Sequence, residues 1–130
     1  LAPDNKARHQ AVQDFMLIND STTVATEVPV YLTDSDIAYF KNKGFGFSFE
    51  ACKTPITGHI DILQIRNGLI YILDYKPEAH KINPIKQLTI YALALAARTK
   101  IPVKDFKCAW FDDRNYYEFF PLKAVYEKRS

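Results

Sequence analysis

The sequence lacks several features that mark common classes of functional site. It has only two cysteines in 130 residues, Cys52 and Cys108, and they do not form a C-x-x-C pair of the kind that binds zinc or carries redox chemistry. It also has no glycine-rich phosphate loop, no G-x-S-x-G elbow and no H-E-x-x-H pair. The two cysteines are therefore expected to be small hydrophobic residues of the core.

Long apolar runs and an excess of charge of one sign are missing as well. No run approaches the roughly 18 to 20 apolar residues of a membrane span, and the N-terminal LAPDNKARHQ lacks the apolar segment of a signal peptide. The formal net charge is +2, so attraction to phosphate must come from local clusters of basic residues. We expect a cytoplasmic protein without a membrane partner. The first residue is not Met, which is compatible with excision from a longer protein.

The composition and the periodicity of the apolar residues predict one folded domain over residues 1–130. Hydrophobic residues make up 48% of the chain and charged residues 25%, as in ordinary globular proteins. The order of the elements predicts an α/β fold in which helices flank a central mixed sheet. Helices are predicted at 4–18 and 85–100, a short helix or an irregular segment at 34–42, and strands at 22–32, 46–51, 60–65, 69–75, 106–111 and 116–122.

The stretch GHIDILQIRNGLIYILDYKP predicts a hairpin with an unusual pair of charges. Asn67-Gly68 is the dipeptide that favours a two-residue type I′ turn, and a symmetrical turn there places Asp61 opposite Asp74. Lys76 lies two residues beyond Asp74 and so projects from the same face of the strand.

Two carboxylates that face each other on a half-buried sheet require a positive partner. One interpretation is a divalent cation such as Mg²⁺, held by Asp61 and Asp74, with Lys76 beside it to hold a water or to stabilise charge on a phosphate oxygen. The other is an ion pair between Lys76 and one of the aspartates on a solvent-facing strand.

The order of three motifs resembles that of the PD-(D/E)XK nuclease superfamily. These motifs are Gly-x-x-Asp ending at Asp61, Asp-Tyr-Lys from Asp74 to Lys76, and Gln-x-x-x-Tyr from Gln87 to Tyr91. The sequence is most similar to the RecB-like branch, which includes the CRISPR-associated RecB-type exonucleases. The resemblance implies a restriction-endonuclease-like core and a deoxyribonuclease that uses Mg²⁺ or Mn²⁺. Two cysteines are too few for the iron–sulfur cluster that many RecB-like enzymes carry.

The resemblance also implies a role for each residue of the motifs. Asp61, Asp74 and Lys76 would be catalytic. The metal ligands would be His9, Asp61, Asp74 and the backbone carbonyl of Tyr75.

Other branches of the superfamily supply a glutamate in place of the upstream histidine. Glu27 and Glu50 are therefore alternatives to His9 as the metal ligand.

The substrate-binding residues implied by the resemblance are Gln87 and Tyr91, which lie one helical turn apart. The substrate would be single- or double-stranded DNA, and a protein partner in a DNA-processing complex is plausible. An inactive nuclease-like domain that binds DNA or serves as a scaffold is the alternative function.

Further basic side chains leave two interpretations open. His59 and His80 are either substrate contacts or solvated residues. Lys81, Lys86 and Arg98 are either a modest basic rim for phosphate or isolated surface charges.

Overall fold

The computed structural model describes residues 5–49 and 53–126, and its centre is a five-stranded sheet. The strands lie in the order of the chain, and all neighbours are antiparallel except β3 and β4, which are parallel. The predicted mixed sheet is therefore confirmed. The strands are β1 (Thr23–Leu32), β2 (Ile56–Arg66), β3 (Leu69–Tyr75), β4 (Phe106–Phe111) and β5 (Tyr116–Phe119).

Helices cover both faces of this sheet. A parallel pair of strands needs a crossover connection, and α3 provides it between β3 and β4. The large hydrophobic core lies between α3 and the sheet, and a smaller cluster joins the opposite face to α1. In the described part of the chain no helix is both long enough and apolar enough to cross a membrane. The helices are α1 (Asn5–Asn19), α2 (Asp34–Asn42), α3 (Ile85–Thr99) and α4 (Pro121–Tyr126).

Two of the predicted strands are wrong in part. Residues 46–49 run without a strand partner, and residues 50–52 lie outside the described residues. Phe47 and Phe49 alternate with exposed residues, as they would in a strand, but they pack into the core from an irregular segment. The last strand ends at Phe119 rather than at Leu122, because Pro121 begins the short helix α4, which the sequence pattern did not indicate.

The hairpin of β2 and β3 has the predicted turn and register. Asn67 and Gly68 both have positive φ, at 54° and 75°, as a type I′ turn requires. The pairing runs without a slip from the turn to Ile62 opposite Leu73. The ladder stops there, one pair short of the predicted pairing of the two aspartates. Asp61 and Asp74 therefore lie just beyond the last pair of the ladder, at the open end of the hairpin.

A kink in β1 and β2 lies beside the first of these aspartates. The two strands pair on both sides of Glu27 and Asp61 but not at these two residues, and Glu27 adopts a left-handed conformation with φ 51°. Across the kink the side chains change face, since Ile60 belongs to the large core and Ile62 to the small cluster on the opposite side. Asp61 therefore lies where strand β2 turns from one helical layer to the other.

Candidate active site

Three potential metal ligands from three different elements meet at the open end of the hairpin. Asp61 comes from the kink in β2, Asp74 from the end of β3, and His9 from α1. One ligand atom of each lies within 4.8 Å of the others. Asp74 is 5% exposed, whereas His9 and Asp61 are half-buried. The sequence-predicted pair of aspartates and the histidine are thus brought together by the fold.

The carboxyl group of Asp61 is the most connected group in this cluster. Its Oδ2 accepts the backbone N–H of Tyr75 at 3.2 Å and lies 3.3 Å from Nε2 of His9. The side chain of Asp61 also contacts the carboxyl group of Asp74. Burial, followed by the hydrogen bond and the charge of Asp74, raises the pKa of Asp61 to about 8. Ionisation of Asp61 is therefore opposed both by its burial and by the neighbouring carboxyl group.

The donor set fits a divalent metal ion. Carboxylate oxygens are typical ligands of Mg²⁺ and Mn²⁺, and imidazole nitrogen is a common ligand of transition metals. Burial and the neighbouring carboxyl group of Asp74 both raise the pKa of Asp61, and a bound cation would oppose both effects. Tyr75 reaches the cluster through its N–H and through its ring, whose centroid lies 5.2 Å from that of His9. The metal-binding role of the Tyr75 carbonyl stays a prediction.

Lys76 lies beside the cluster. Its Nζ is 3.0 Å from Oδ2 of Asp74, and its side chain is about a quarter exposed, at 24%. The backbone N–H of Lys76 donates to the carbonyl of Phe111 at 2.9 Å, so the main chain stays attached to β4 just past the end of β3. The ion pair that the sequence suggested as an alternative is present. The Lys76 side chain also lines a groove beside the cluster.

A groove of about 540 Å³ runs from Lys76 along the start of α3. Gln87 donates from Nε2 to the hydroxyl of Tyr91 at 3.0 Å, and both side chains line the groove. The ring of Tyr91 lies close against β2 because Gly58 has no side chain. A Cβ at Gly58 would lie 2.5 Å from Cε1 of that ring. Further polar lining comes from Thr57, Asn83 and Lys86.

Of the two alternative acidic ligands, the structure describes only Glu27. Glu27 lies opposite Asp61 at the kink, and its carboxylate accepts a hydrogen bond from the side chain of Gln13. Glu50 lies outside the described residues. His59 is an exposed residue of β2 opposite Pro29, and His80 is an exposed residue of the loop after β3.

The predicted basic rim is only partly available to a substrate. Lys81 lies 3.0 Å from Glu78, and Arg98 is paired with Asp36. Lys86 is exposed and lines the groove beside Gln87.

Sequence reasoning missed one polar residue next to the site. Gln13 is 2% exposed and lies on α1 one turn after His9. Its Nε2 donates to Glu27 and, at 3.1 Å, to the backbone carbonyl of Asp61. The available signal was the spacing, because i and i+4 side chains share one face of a helix.

Comparison with known proteins agrees with this geometry. A family model described as the PD-(D/E)XK nuclease superfamily matches residues 6–123, which include His9, the hairpin and α3. No curated protein and no solved structure matches the chain. The match covers most of the 130 residues, and the matched region contains all three side chains of the cluster. The chain therefore belongs to the PD-(D/E)XK nuclease superfamily.

Proposed function

We propose that this protein is a Mg²⁺- or Mn²⁺-dependent deoxyribonuclease of the RecB-like branch. One observation carries the proposal: His9, Asp61 and Asp74 bring three ligand atoms within 4.8 Å of one another, and Lys76 lies 3.0 Å from one of the two carboxylates. A nuclease of this superfamily uses a divalent metal and a nucleic-acid substrate, and the donor set is suited to such a metal.

The metal would be held by the His9 imidazole, by the two carboxylates and by the carbonyl of Tyr75. When bound, such an ion polarises a phosphoryl oxygen and lowers the pKa of a bound water. The N–H of Tyr75 fixes the Oδ2 atom of Asp61. Asp74 is held in place by its burial and by Lys76. The protein therefore holds two of the ligands in position before a metal arrives, which limits the reorganisation at binding.

Lys76 would orient the attacking water or stabilise the charge that grows on the phosphate oxygens. Its ammonium group is a compact donor of three hydrogen bonds at the end of a flexible chain. Because its side chain is partly exposed and lines the groove, it can reach a phosphate while it keeps contact with Asp74.

The groove along α3 would hold the DNA backbone next to the cluster. Gln87 and Tyr91 already contact each other on one face of α3, and Lys86 adds a positive charge on the same turn of the helix. Amide and hydroxyl groups are common contacts to phosphate and sugar oxygens, and they position a strand without reading its sequence. We therefore place substrate binding in this groove.

The proposal is tested with single- and double-stranded DNA, with Mn²⁺ or with chelator. Wild type is expected to cleave DNA only with metal, and Asp74→Asn is expected to lose at least about 100-fold in rate because a ligand is neutralised. Asp105→Asn is the matched control, because Asp105 lies before β4 at the end of that strand away from Asp74. No cleavage by wild type under any condition would reject the enzyme. Retained DNA binding would then favour the binding or scaffolding module.

If the protein is RecB-like, we expect it to be an exonuclease, and a comparison of linear with circular DNA tests this expectation. An exonuclease degrades linear DNA from its ends and leaves covalently closed circular DNA intact. We expect linear single strands to be shortened progressively and circles of the same sequence to persist. Nicking of the circles at the same rate would show endonuclease action, and RNA of the same sequence tests the preference for DNA.

A further inference from the structure

Gln13 is a buried polar side chain that connects three elements at the edge of the metal cluster. It is 2% exposed, and its amide group donates both to the carboxylate of Glu27 on β1 and to the carbonyl of Asp61 on β2. The helix that carries it also carries His9, one turn earlier. A buried amide with two such acceptors fixes the distance between the helix and both strands.

The position of these contacts explains why an amide is needed there. At the kink, Glu27 and Asp61 leave the ladder between β1 and β2, and a buried backbone group that leaves a ladder needs another partner. Gln13 supplies a donor at 3.1 Å from the Asp61 oxygen. Val12 and Met16 of α1 add apolar contacts with this face of the sheet, and apolar contacts have no direction of their own.

We infer that Gln13 is a positioning residue for the metal centre, and that it acts through His9. By holding α1 at the kink, it keeps Nε2 of His9 3.3 Å from the carboxylate of Asp61. Asp61 itself has a second support in the N–H of Tyr75 and would stay in place. This inference rests on the proposed metal-dependent function, and it gives the site a determinant outside the three motifs.

A matched pair of substitutions separates this role from simple stabilisation. Gln64 is also buried, at 3% exposure, and its Nε2 also donates twice, to Asp20 at 2.8 Å and to Thr23 at 3.1 Å. Gln13→Met and Gln64→Met each remove a doubly bonded amide and keep a side chain of similar size. Both variants are expected to lose similar thermal stability.

The readout is the binding of Mn²⁺ alone to the 130-residue chain, measured by calorimetry. Gln13→Met is expected to raise the Kd by about tenfold, as residues that orient ligands typically do, and Gln64→Met to leave it within about twofold. In a His9→Ala background, Gln13→Met is expected to add no further loss, because the residue through which it acts is gone. If Gln13→Met does not fold, Gln13→Asn keeps the amide on a shorter arm and gives the same comparison.

Three results would overturn the inference while leaving the proposed function intact. These are an unchanged Kd in Gln13→Met, an equal loss in Gln64→Met, and an undiminished loss in the His9→Ala background. A wild-type chain that binds no Mn²⁺ at all would instead reject the metal centre itself, and the inference with it.

Discussion

Replacing Asp61 with asparagine should remove a pH dependence of stability that the metal-free wild type carries. The buried carboxyl group beside Asp74 has its pKa raised from 3.8 to about 8 by burial and by its neighbour. In the unfolded chain the same group has its ordinary pKa and is ionised above about pH 4. Between these two values the folded protein therefore binds one more proton than the unfolded chain.

The sign follows from this difference in bound protons. Because the folded state holds the extra proton, the free energy of unfolding falls as the pH rises from about 4 to about 8, by up to about 1.4 kcal/mol per pH unit. Between about pH 5 and pH 7 the loss would approach 3 kcal/mol, or roughly 10 °C in Tm for a chain of this size. The asparagine side chain has nearly the same volume as that of Asp61 and does not ionise in this pH range.

The assay compares urea or thermal unfolding of wild type and Asp61→Asn, with chelator present, across this pH range. Titratable groups remote from Asp61 are common to both proteins and cancel, so the difference between the two curves reports Asp61 and the groups that contact it. The curves should meet near pH 4, where Asp61 is protonated and resembles asparagine, and should separate towards high pH as wild type alone loses stability. Parallel curves would show that Asp61 ionises normally in the fold and would refute the argument. Added Mn²⁺ should stabilise wild type more than the variant.

Three other substitutions test separate parts of the site and fold. Lys76→Met should lower the rate of DNA cleavage by about 100-fold while Mn²⁺ still binds, because in the proposed function Lys76 acts on the water or the phosphate and is not a metal ligand; equal loss of Mn²⁺ binding would contradict this. Gly58→Ala should displace the Tyr91 ring, since the new Cβ would lie 2.5 Å from it, and should weaken DNA binding in a filter assay more than it lowers Tm. Gly68→Ala should destabilise the chain by about 1 kcal/mol in urea, since its φ is +75°. Gly46→Ala should have a smaller effect, because its new Cβ would meet only the carbonyl oxygen of Val125, at an ordinary contact distance of 3.9 Å.

The hairpin was predictable because its information is local. Asn67-Gly68 determines the turn, the turn determines the register, and the register determines which residues of β2 and β3 meet. Both aspartates and Lys76 therefore followed from one dipeptide and a count along two strands. The identification of His9 did not follow from the residues alone, because α1 reaches the sheet through long-range packing. That residue came from the resemblance to the superfamily.

The features that were not predicted depend on contacts between distant segments. Glu27 is not a residue that favours positive φ, so its left-handed conformation in a β-branched strand has no local signal. In a regular strand Val24, Thr26, Val28 and Val30 would share one face, yet Val24 is 51% exposed while Val28 and Val30 pack on the core. The segment from residue 46 reads as a strand because its phenylalanines alternate. Whether such a segment pairs is decided by the tertiary structure.

The kink at Glu27 and the contact between the two aspartates are connected. A regular ladder through Asp61 would direct its side chain to a single face and pair its backbone with β1. The break at Glu27 instead places Asp61 where it reaches Asp74, His9 and the Tyr75 N–H together. The break removes the Glu27–Asp61 pair from the ladder and crowds two carboxyl groups, and both effects oppose folding. Gln13 offsets the first by donating to the carbonyl of Asp61, and a divalent cation would offset the second. We therefore expect metal binding to stabilise the fold as well as to serve the proposed catalysis, because the metal would bind the same two carboxyl groups whose crowding opposes folding.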